Sequence, residues 1–328
     1  MSITPSLSSP PAPPSATQQI DVIGRGRLWM SLSLSILLVG LVSLVISWIQ
    51  LGQPLRLGLD FAGGTLLDVR FSAPTQVETI RSALQPLGSA VVQLDTDTSQ
   101  TAIIRLPALD ESNRLRAEEI LKTAVGDFQR NRVETVGPTV GRILLGTGIN
   151  SLLISFALIM VYLGVRFQLD YAVFAIVALL HDVLLTVGIF SLLGLVAGVE
   201  VDSLFIVALL TIIGFSVNDT VVIYDRIREN LRLRSRKTSF ADVVNLSLNQ
   251  TFARSINTTL TTMLPLVAIV IFGGSSLKVF ALALLVGFSL GAYSSICIAS
   301  TLLVWWRNRE EQRVVQGDSS PEGLSEES

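Results

Sequence analysis

The chain has 328 residues, 50% of them hydrophobic and 15% charged, with a mean hydropathy of +0.59, which excludes an ordinary soluble domain and indicates an integral membrane protein. A formal net charge of −2 excludes nucleic acid as a partner, since that binding needs a concentrated basic surface. One cysteine, Cys297, and one histidine exclude a disulfide framework and a cysteine-ligated metal site, and leave too few ligands for a catalytic zinc.

In chain order, residues 1–27 read as a disordered cytoplasmic tail, rich in Pro and Ser up to Ala16 and without a charged side chain in that part. Residues 28–51 follow Arg25 and Arg27 as one apolar run. The run is longer than a signal-peptide core and lacks a small-residue cleavage site, so it reads as an uncleaved first span. From 52 to 140 the composition becomes that of a soluble domain. Strands are predicted over 66–71, 90–94, 102–106 and 131–136, and helices over 75–84 and 111–125, in the order βαββαβ of an α+β ferredoxin-like fold. Pro74, Thr75 and Glu78 have the spacing of a capping box at the first of these helices.

Residues 141–306 hold five more apolar runs, near 143–165, 171–196, 203–224, 256–272 and 277–306, each close to the length that crosses a bilayer. With the first run this makes a polytopic α-helical protein of about six spans with one external domain between the first and second. Arg25, Arg27, Arg166, the group Arg226, Arg228, Arg232, Arg234, Arg236 and Lys237, and then Arg307 and Arg309 all fall on one side if the spans alternate, which makes that side the cytoplasm. The folded domain is then external and both termini are cytoplasmic. The basic loop 225–255 becomes amphipathic at Phe240, Val243, Val244, Leu246 and Leu248, the pattern of a surface helix at the lipid interface. Its arginines read as orienting the chain and attracting anionic membrane lipid; a specific protein-docking role is the alternative. Residues 307–328 read as a second disordered cytoplasmic tail.

Polar residues inside the spans carry the functional reading. Asn218, Asp219 and Thr220 stand in succession within the fourth run, where an ionisable group is costly and by default faces protein or a water-filled path. His181 and Asp182 lie about ten residues into the third run, near the bilayer midplane. Arg254 enters the fifth run ahead of Ser255, Asn257, Thr258, Thr259, Thr261 and Thr262. Two carboxyls, an imidazole, a guanidinium and many hydroxyls suit a proton relay; the alternatives are an interhelical hydrogen bond at Asp219, a packed His181–Asp182 pair and an Arg254 that snorkels to the headgroups. Gly194 with Gly198, and Gly287 with Gly291, have a spacing that permits close helix approach. No phosphate-cradling G-x-x-x-x-G-K-[ST] stretch occurs, so neither nucleotide hydrolysis nor a cofactor is expected.

Together, Leu59-Asp60-Phe61-Ala62-Gly63-Gly64-Thr65, Leu180-His181-Asp182-Val183, Gly214-Phe215-Ser216-Val217-Asn218-Asp219-Thr220 and Asp225-Arg226-Ile227-Arg228-Glu229-Asn230 closely resemble the SecF members of the SecD/SecF family. That family is related to the resistance-nodulation-division superfamily of proton-driven transporters. The resemblance runs from the first span to the sixth. It implies half of a resistance-nodulation-division-type membrane unit that pairs with SecD in pseudo-symmetric fashion. It further implies association with the SecYEG channel, and use of the proton motive force to draw preproteins across the cell inner membrane after the SecA ATPase has driven them in. A second internal membrane system stays open as another location. By position, the resemblance assigns Asp219 as the functional carboxylate and Arg254 as a functional arginine. It gives Asp60, Gly63 and Gly64 a structural role at the entry to the external domain, the glycines allowing backbone geometry that a side chain would block. The sequence departs from the family pattern in its Pro/Ser-rich leader and at Ala62, where a hydroxyl residue is common. A proton-driven exporter of small molecules or lipids from the same superfamily is the alternative, and would carry larger external domains and a repeat of the six-span unit. A passive scaffold, with Asp219 and Arg254 as structural residues, is the third reading.

Overall fold

The computed structural model describes residues 20–95, 99–234 and 238–318. Helix α1 spans Gly26–Leu51, and a short helix α2 (Leu59–Ala62) leads into an α/β domain. This domain consists of β1 (Gly64–Phe71), α3 (Val77–Leu84), β2 (Val91–Leu94), β3 (Thr101–Leu106), α4 (Glu111–Ala124) and β4 (Phe128–Val136). Long helices follow: α5 (Pro138–Arg166), α6 (Leu169–Ala197), α7 (Ser203–Leu233) and α8 (Phe240–Phe272), then α9 (Ser275–Tyr293), which passes through a π-helical turn (Ser294–Ala299) into α10 (Ser300–Asp318). Among the described residues, six helices are long and apolar enough to cross a membrane, with α9, the π turn and α10 counting as one.

The sheet order is β2-β3-β1-β4, antiparallel throughout, the arrangement expected from the βαββαβ element order. Alternate residues of the strands face α3 and α4, where Leu67, Val69, Ile104, Ile80, Leu84 and Leu121 form the domain's core. The predicted capping box is not formed. Helix α3 starts at Val77 with Gln76 as its cap residue and no side-chain bond there, so Thr75 and Glu78 fall out of register for a box; Glu78 pairs with Arg81, and the Thr75 N–H donates to the Ser99 carbonyl.

In the membrane half, α1 lies on α6 at a point where two glycines meet. A Cβ on Gly188 would stand 2.7 Å from the Gly40 Cα, and Ser43 Oγ donates to the carbonyls of both glycines at 2.7 and 3.0 Å. Gly287 and Gly291 of α9 face Ile212 and Ser216 of α7, so that pair does permit close approach. The other pair does not act this way: Gly198 ends α6 in the left-handed region, and Gly194 lies against the Val199 carbonyl and Arg56.

Three boundaries differ from the sequence reading. The amphipathic stretch of the basic loop is no separate lipid-surface helix but the first third of α8. Its start is fixed by a capping box between Ser239 and Asp242, and Phe240, Val244 and Leu248 are buried against Tyr171, Tyr224 and Leu303. Residues 20–27, assigned to the first tail, are ordered against α8. Asn249 Oδ1 accepts from the Ile20 N–H at 2.8 Å, Asn245 Oδ1 accepts from the Val22 N–H at 3.0 Å, and Val22 is buried. Residues 307–318, assigned to the second tail, continue α10, since no Gly or Pro interrupts the run before Gly317. The rest of both tails, 1–19 and 319–328, lies outside the described residues.

The arginine-rich end of the bundle is also an interaction network. Arg166 holds Asp225 through both carboxyl oxygens at 3.0 and 2.7 Å, Arg307 donates to Asp170 at 2.6 Å, and Arg166 and Arg228 lie over the Phe167 ring. The Arg166–Asp225 pair is partly exposed, so its contribution is at most about 1 kcal/mol.

Candidate functional site

Successive residues of a helix point about 100° apart, so the polar run in the middle of α7 is distributed over three directions. Ser216 and Thr220 are buried towards α6 and the π turn, Asp219 faces α8, and Asn218 is exposed. At Asp219, Ser255 of α8 donates its hydroxyl to Oδ1 at 2.6 Å, while Oδ2 is buried with no hydrogen-bond partner. Arg254 is near enough to act on this carboxyl electrostatically but is exposed and forms no ion pair among the described residues. Asn218 likewise makes no hydrogen bond there. The structure therefore joins Asp219 to Ser255, and leaves Asn218 and Arg254 on the uncovered side beside that contact.

Asp182 belongs to a different cluster. It is fully buried, and its Oδ2 accepts from Ser216 of α7 at 2.7 Å and from Ser294 of the π turn at 2.6 Å. Its Oδ1 lies 3.1 Å from His181 Nδ1, and His181 Nε2 lies 2.7 Å from Ser33 Oγ of α1. Ser33 also reaches the Tyr293 hydroxyl at 3.4 Å, which donates to the Trp29 carbonyl at 2.9 Å. Next to this chain, Thr220 Oγ1 and Ser295 Oγ are 2.8 Å apart. A π turn adds a residue to the helical repeat, and here it presents Ser294 to Asp182 and Ser295 to Thr220. The pair His181–Asp182 thus ties α1, α6, α7 and the π turn together, with the two carboxyls on opposite sides of α7.

Asp60, Gly63 and Gly64 lie at the junction of the bundle with the α/β domain. Asp60 Oδ2 accepts from the Ser203 N–H at 3.1 Å and from the Ser203 hydroxyl, at the first residue of α7. Gly63 and Gly64 have φ of 73° and 126°, and a Cβ on Gly64 would stand 2.6 Å from the Leu106 carbonyl oxygen. Both positions therefore require glycine. Just ahead of α7, Glu200 forms ion pairs with Arg56, at 3.5 Å, and with Arg105 of β3. Asp202 caps α7 by accepting from the Leu204 N–H at 3.1 Å. Its carboxyl is pushed above the usual range, first by burial and then by the charge of Asp60. A cleft of about 230 Å³ lies here, lined in part by Asp60, Arg105, Glu134, Glu200 and Asp202. Among the described residues no group of three or more His, Cys, Asp or Glu side chains is placed to hold a metal ion.

Sequence reasoning did not name Ser216, Ser294, Ser203 or Glu200 as site residues, nor Ser255 beyond its place in a polar run. The available signal was a hydroxyl three residues ahead of Asp219 and a Ser-Ser pair within the last apolar run.

Residues 116–309 match the family model for the protein export membrane protein SecD/SecF, C-terminal, and residues 48–75 match the SecD/SecF GG motif. The chain is 50% identical to the protein translocase subunit SecF of Synechocystis sp. over 85% of this chain and 91% of that protein. It is 41% identical to the SecF subunit of Thermobaculum terrenum, over 90% and 96%. It is also similar to the crystal structure of SecDF, a translocon-associated membrane protein from Thermus thermophilus. That match has a TM-score of 0.77 and 35% identity, and covers 90% of this chain but only 40% of the larger SecDF chain. The fold is accordingly of the resistance-nodulation-division type, and the chain is a multi-pass membrane protein. From the two family segments, the near-complete overlap with SecF subunits and the shared fold, the chain belongs to the SecD/SecF family of protein export membrane proteins, on its SecF side.

Proposed function

We propose that this chain is the SecF half of a proton-driven accessory unit of protein export. Working with a SecD partner on the SecYEG channel, it uses the proton motive force to draw preproteins outward after SecA has inserted them. The observation that carries the coupling role is Asp219, a carboxyl in a membrane-spanning helix with one oxygen held by Ser255 and the other buried without a partner. An ionisable carboxyl at this depth is costly in a membrane and by default marks an ion or proton path.

Asn218 on α7 and Arg254, Thr258 and Thr261 on α8 are exposed beside this contact. Such groups are expensive against lipid, so a second membrane subunit covers them. That the SecDF protein of Thermus thermophilus is 40% identical over 77% of this chain while this chain spans 35% of its length supports a SecD-like partner for the remaining surface. The distribution of arginines supports a cytoplasmic position for the arginine-rich end and both termini and an external position for the α/β domain; the cell inner membrane is the proposed location.

The test is Asp219→Asn in vesicles containing the full translocase. Asparagine keeps the size and the acceptor for Ser255 but cannot exchange a proton. The variant is expected to insert, bind its partners and support ATP-driven initiation, yet lose the additional export that an imposed proton gradient provides. Full gradient response by the variant makes Asp219 a structural residue and removes the proposal.

A further inference from the structure

The helix that carries Asp219 is held at its other end by the segment that leads into the α/β domain, residues 56–60, and by Arg105 of β3. Glu200 reaches Arg56 and Arg105. Val201 pairs with the segment after α1, its carbonyl accepting from the Gly58 N–H at 2.8 Å and its N–H donating to the Arg56 carbonyl at 2.9 Å. Asp202 caps its own helix. Ser203, the first helical residue, gives both its N–H and its hydroxyl to Asp60. The first N–H groups of a helix have no partner within it; Asp202 takes that of Leu204, and that of Ser203 finds its acceptor outside α7, at Asp60.

We propose that the Asp60–Ser203 contact is the joint through which α7 moves the α/β domain, with Asp60 as a positioning residue; this rests on the reading of Asp219 as a proton-coupling carboxyl. The mechanics follow from the connections on either side. From Ser203 to Asp219, α7 is one unbroken helix, about 24 Å long at 1.5 Å per residue, so an axial shift or rotation near Asp219 reaches Ser203 nearly undiminished. On the other side, α2 ends one residue after Phe61, and β1 starts at Gly64. Between Asp60 and the strand there is no slack. Gly63 is boxed in by Pro138 and the Val136 carbonyl, and Gly64 by the Leu106 carbonyl, so the segment transmits displacement without absorbing it in a flexible turn. β1 is an inner strand, bonded to β3 and β4, and what moves β1 moves the sheet. Gly141, near the start of α5, is held as closely against the Phe61 carbonyl, which makes α2 the point where α5, α7 and β1 converge.

The glycine pair thereby gains a reason beyond allowing a turn. A side chain there would meet Pro138 and the Val136 carbonyl or the Leu106 carbonyl, forcing the segment that carries Asp60 away from the strands it joins.

The test uses the full chain with its partner in lipid vesicles, spin-labelled at Lys122→Cys on α4 and Lys278→Cys on α9. Both positions are exposed, whereas the native Cys297 is buried. Pulsed electron–electron distance measurement is made with and without an imposed proton gradient. Wild type is expected to shift its distance distribution under the gradient. Asp60→Leu is expected to lose that shift, and Asp60→Asn to keep it, because the amide oxygen still accepts from Ser203. Ser203→Pro cuts the same contact from the other side and is expected to behave like Asp60→Leu; proline is well tolerated at the first helical position and leaves Asp60 intact. A wild-type shift that persists fully in Asp60→Leu or in Ser203→Pro overturns the joint. Loss of the shift in Asp60→Leu together with its retention in Asp219→Asn supports the joint and overturns Asp219 as the origin of the motion. A wild type that does not shift overturns both.

Discussion

Ser255 donates its hydroxyl to Asp219 across the α7–α8 interface at 2.6 Å, and the carboxyl's second oxygen is buried without a donor among the described residues. A hydrogen bond to a charged group contributes about 1.5 to 3 kcal/mol, whereas a neutral one contributes about 1. Ser255→Ala should therefore lower the unfolding free energy in mild detergent by about 1 to 3 kcal/mol in the wild-type background and by less in Asp219→Asn. A double-mutant cycle measures the difference. Costs that simply add would mean that the bond from Ser255 gains nothing from a charge on the carboxyl.

At Asp182 the expectation is the reverse order of tolerance. Three polar groups converge on it, from Ser216, Ser294 and His181. Asp182→Leu would leave Ser216 and His181 without this partner, at about 1 to 3 kcal/mol apiece, and Ser294 with only its bond to the Gly291 carbonyl; folded protein should not accumulate. Asp182→Asn keeps an acceptor for the serines and should fold. Because the chain has a single histidine, a sample labelled with nitrogen-15 histidine gives one imidazole, and its Nδ1 resonance should change in Asp182→Asn. An unchanged resonance would show that the ring does not bond to that carboxyl.

The α1–α6 contact offers a packing test. Gly188→Leu places a side chain where Gly40 already lies at 2.7 Å from an added Cβ, and separating the helices should cost about 1 to 3 kcal/mol or more. Gly164→Ala, with nothing within 4 Å of the added atom, should be neutral or slightly stabilising. Thermal unfolding of the two variants side by side decides; equal effects would remove the close-contact argument.

What the sequence made legible, and what it did not, divides along the range of the interactions. Spans, strand order and the polar residues inside the membrane follow from local composition and period, and Asp219, Asp182 and His181 could be singled out because each breaks an apolar run. Their partners could not be. Ser255 sits among five other hydroxyl and amide residues between Asn257 and Thr262, and only the rotation of α8 against α7 selects it. Ser294 meets Asp182 because a π turn shifts the phase of the last span, which no simple 3.6-residue pattern anticipates. The extent of α8 was missed because its first turns are amphipathic, as an interfacial helix would be, while the surface that covers them comes from α6, α7 and α10. Arg254 lies close to Asp219 but forms no ion pair with it among the described residues; the bond comes from a hydroxyl one residue further on, Ser255.

The last prediction concerns pH at the outer end of α7. Burial, and then the neighbouring charge of Asp60, hold the Asp202 carboxyl above the ordinary carboxylate range. A raised folded-state value means that the folded protein binds this proton more tightly than the unfolded chain does. Its favourable contribution is fully present below the unfolded value and is lost as pH rises through the folded one. Acidification from neutrality into that window should therefore stabilise the start of α7, against the usual trend for paired carboxylates. Asparagine caps helices about as well as aspartate, so Asp202→Asn should keep the Leu204 contact while abolishing this part of the pH dependence. Asp60→Asn should weaken it by removing the repelling charge and leave the burial component in place. Hydrogen exchange at the Leu204 and Phe205 amides, corrected for the intrinsic rate at each pH, reads the opening of this turn directly. Protection that rises on acidification in the wild type and stays flat in Asp202→Asn is the expected result. The same slope in both proteins would mean that the proton is taken up elsewhere, with Glu134 and Glu200, which line the same cleft, as the next carboxyls to substitute.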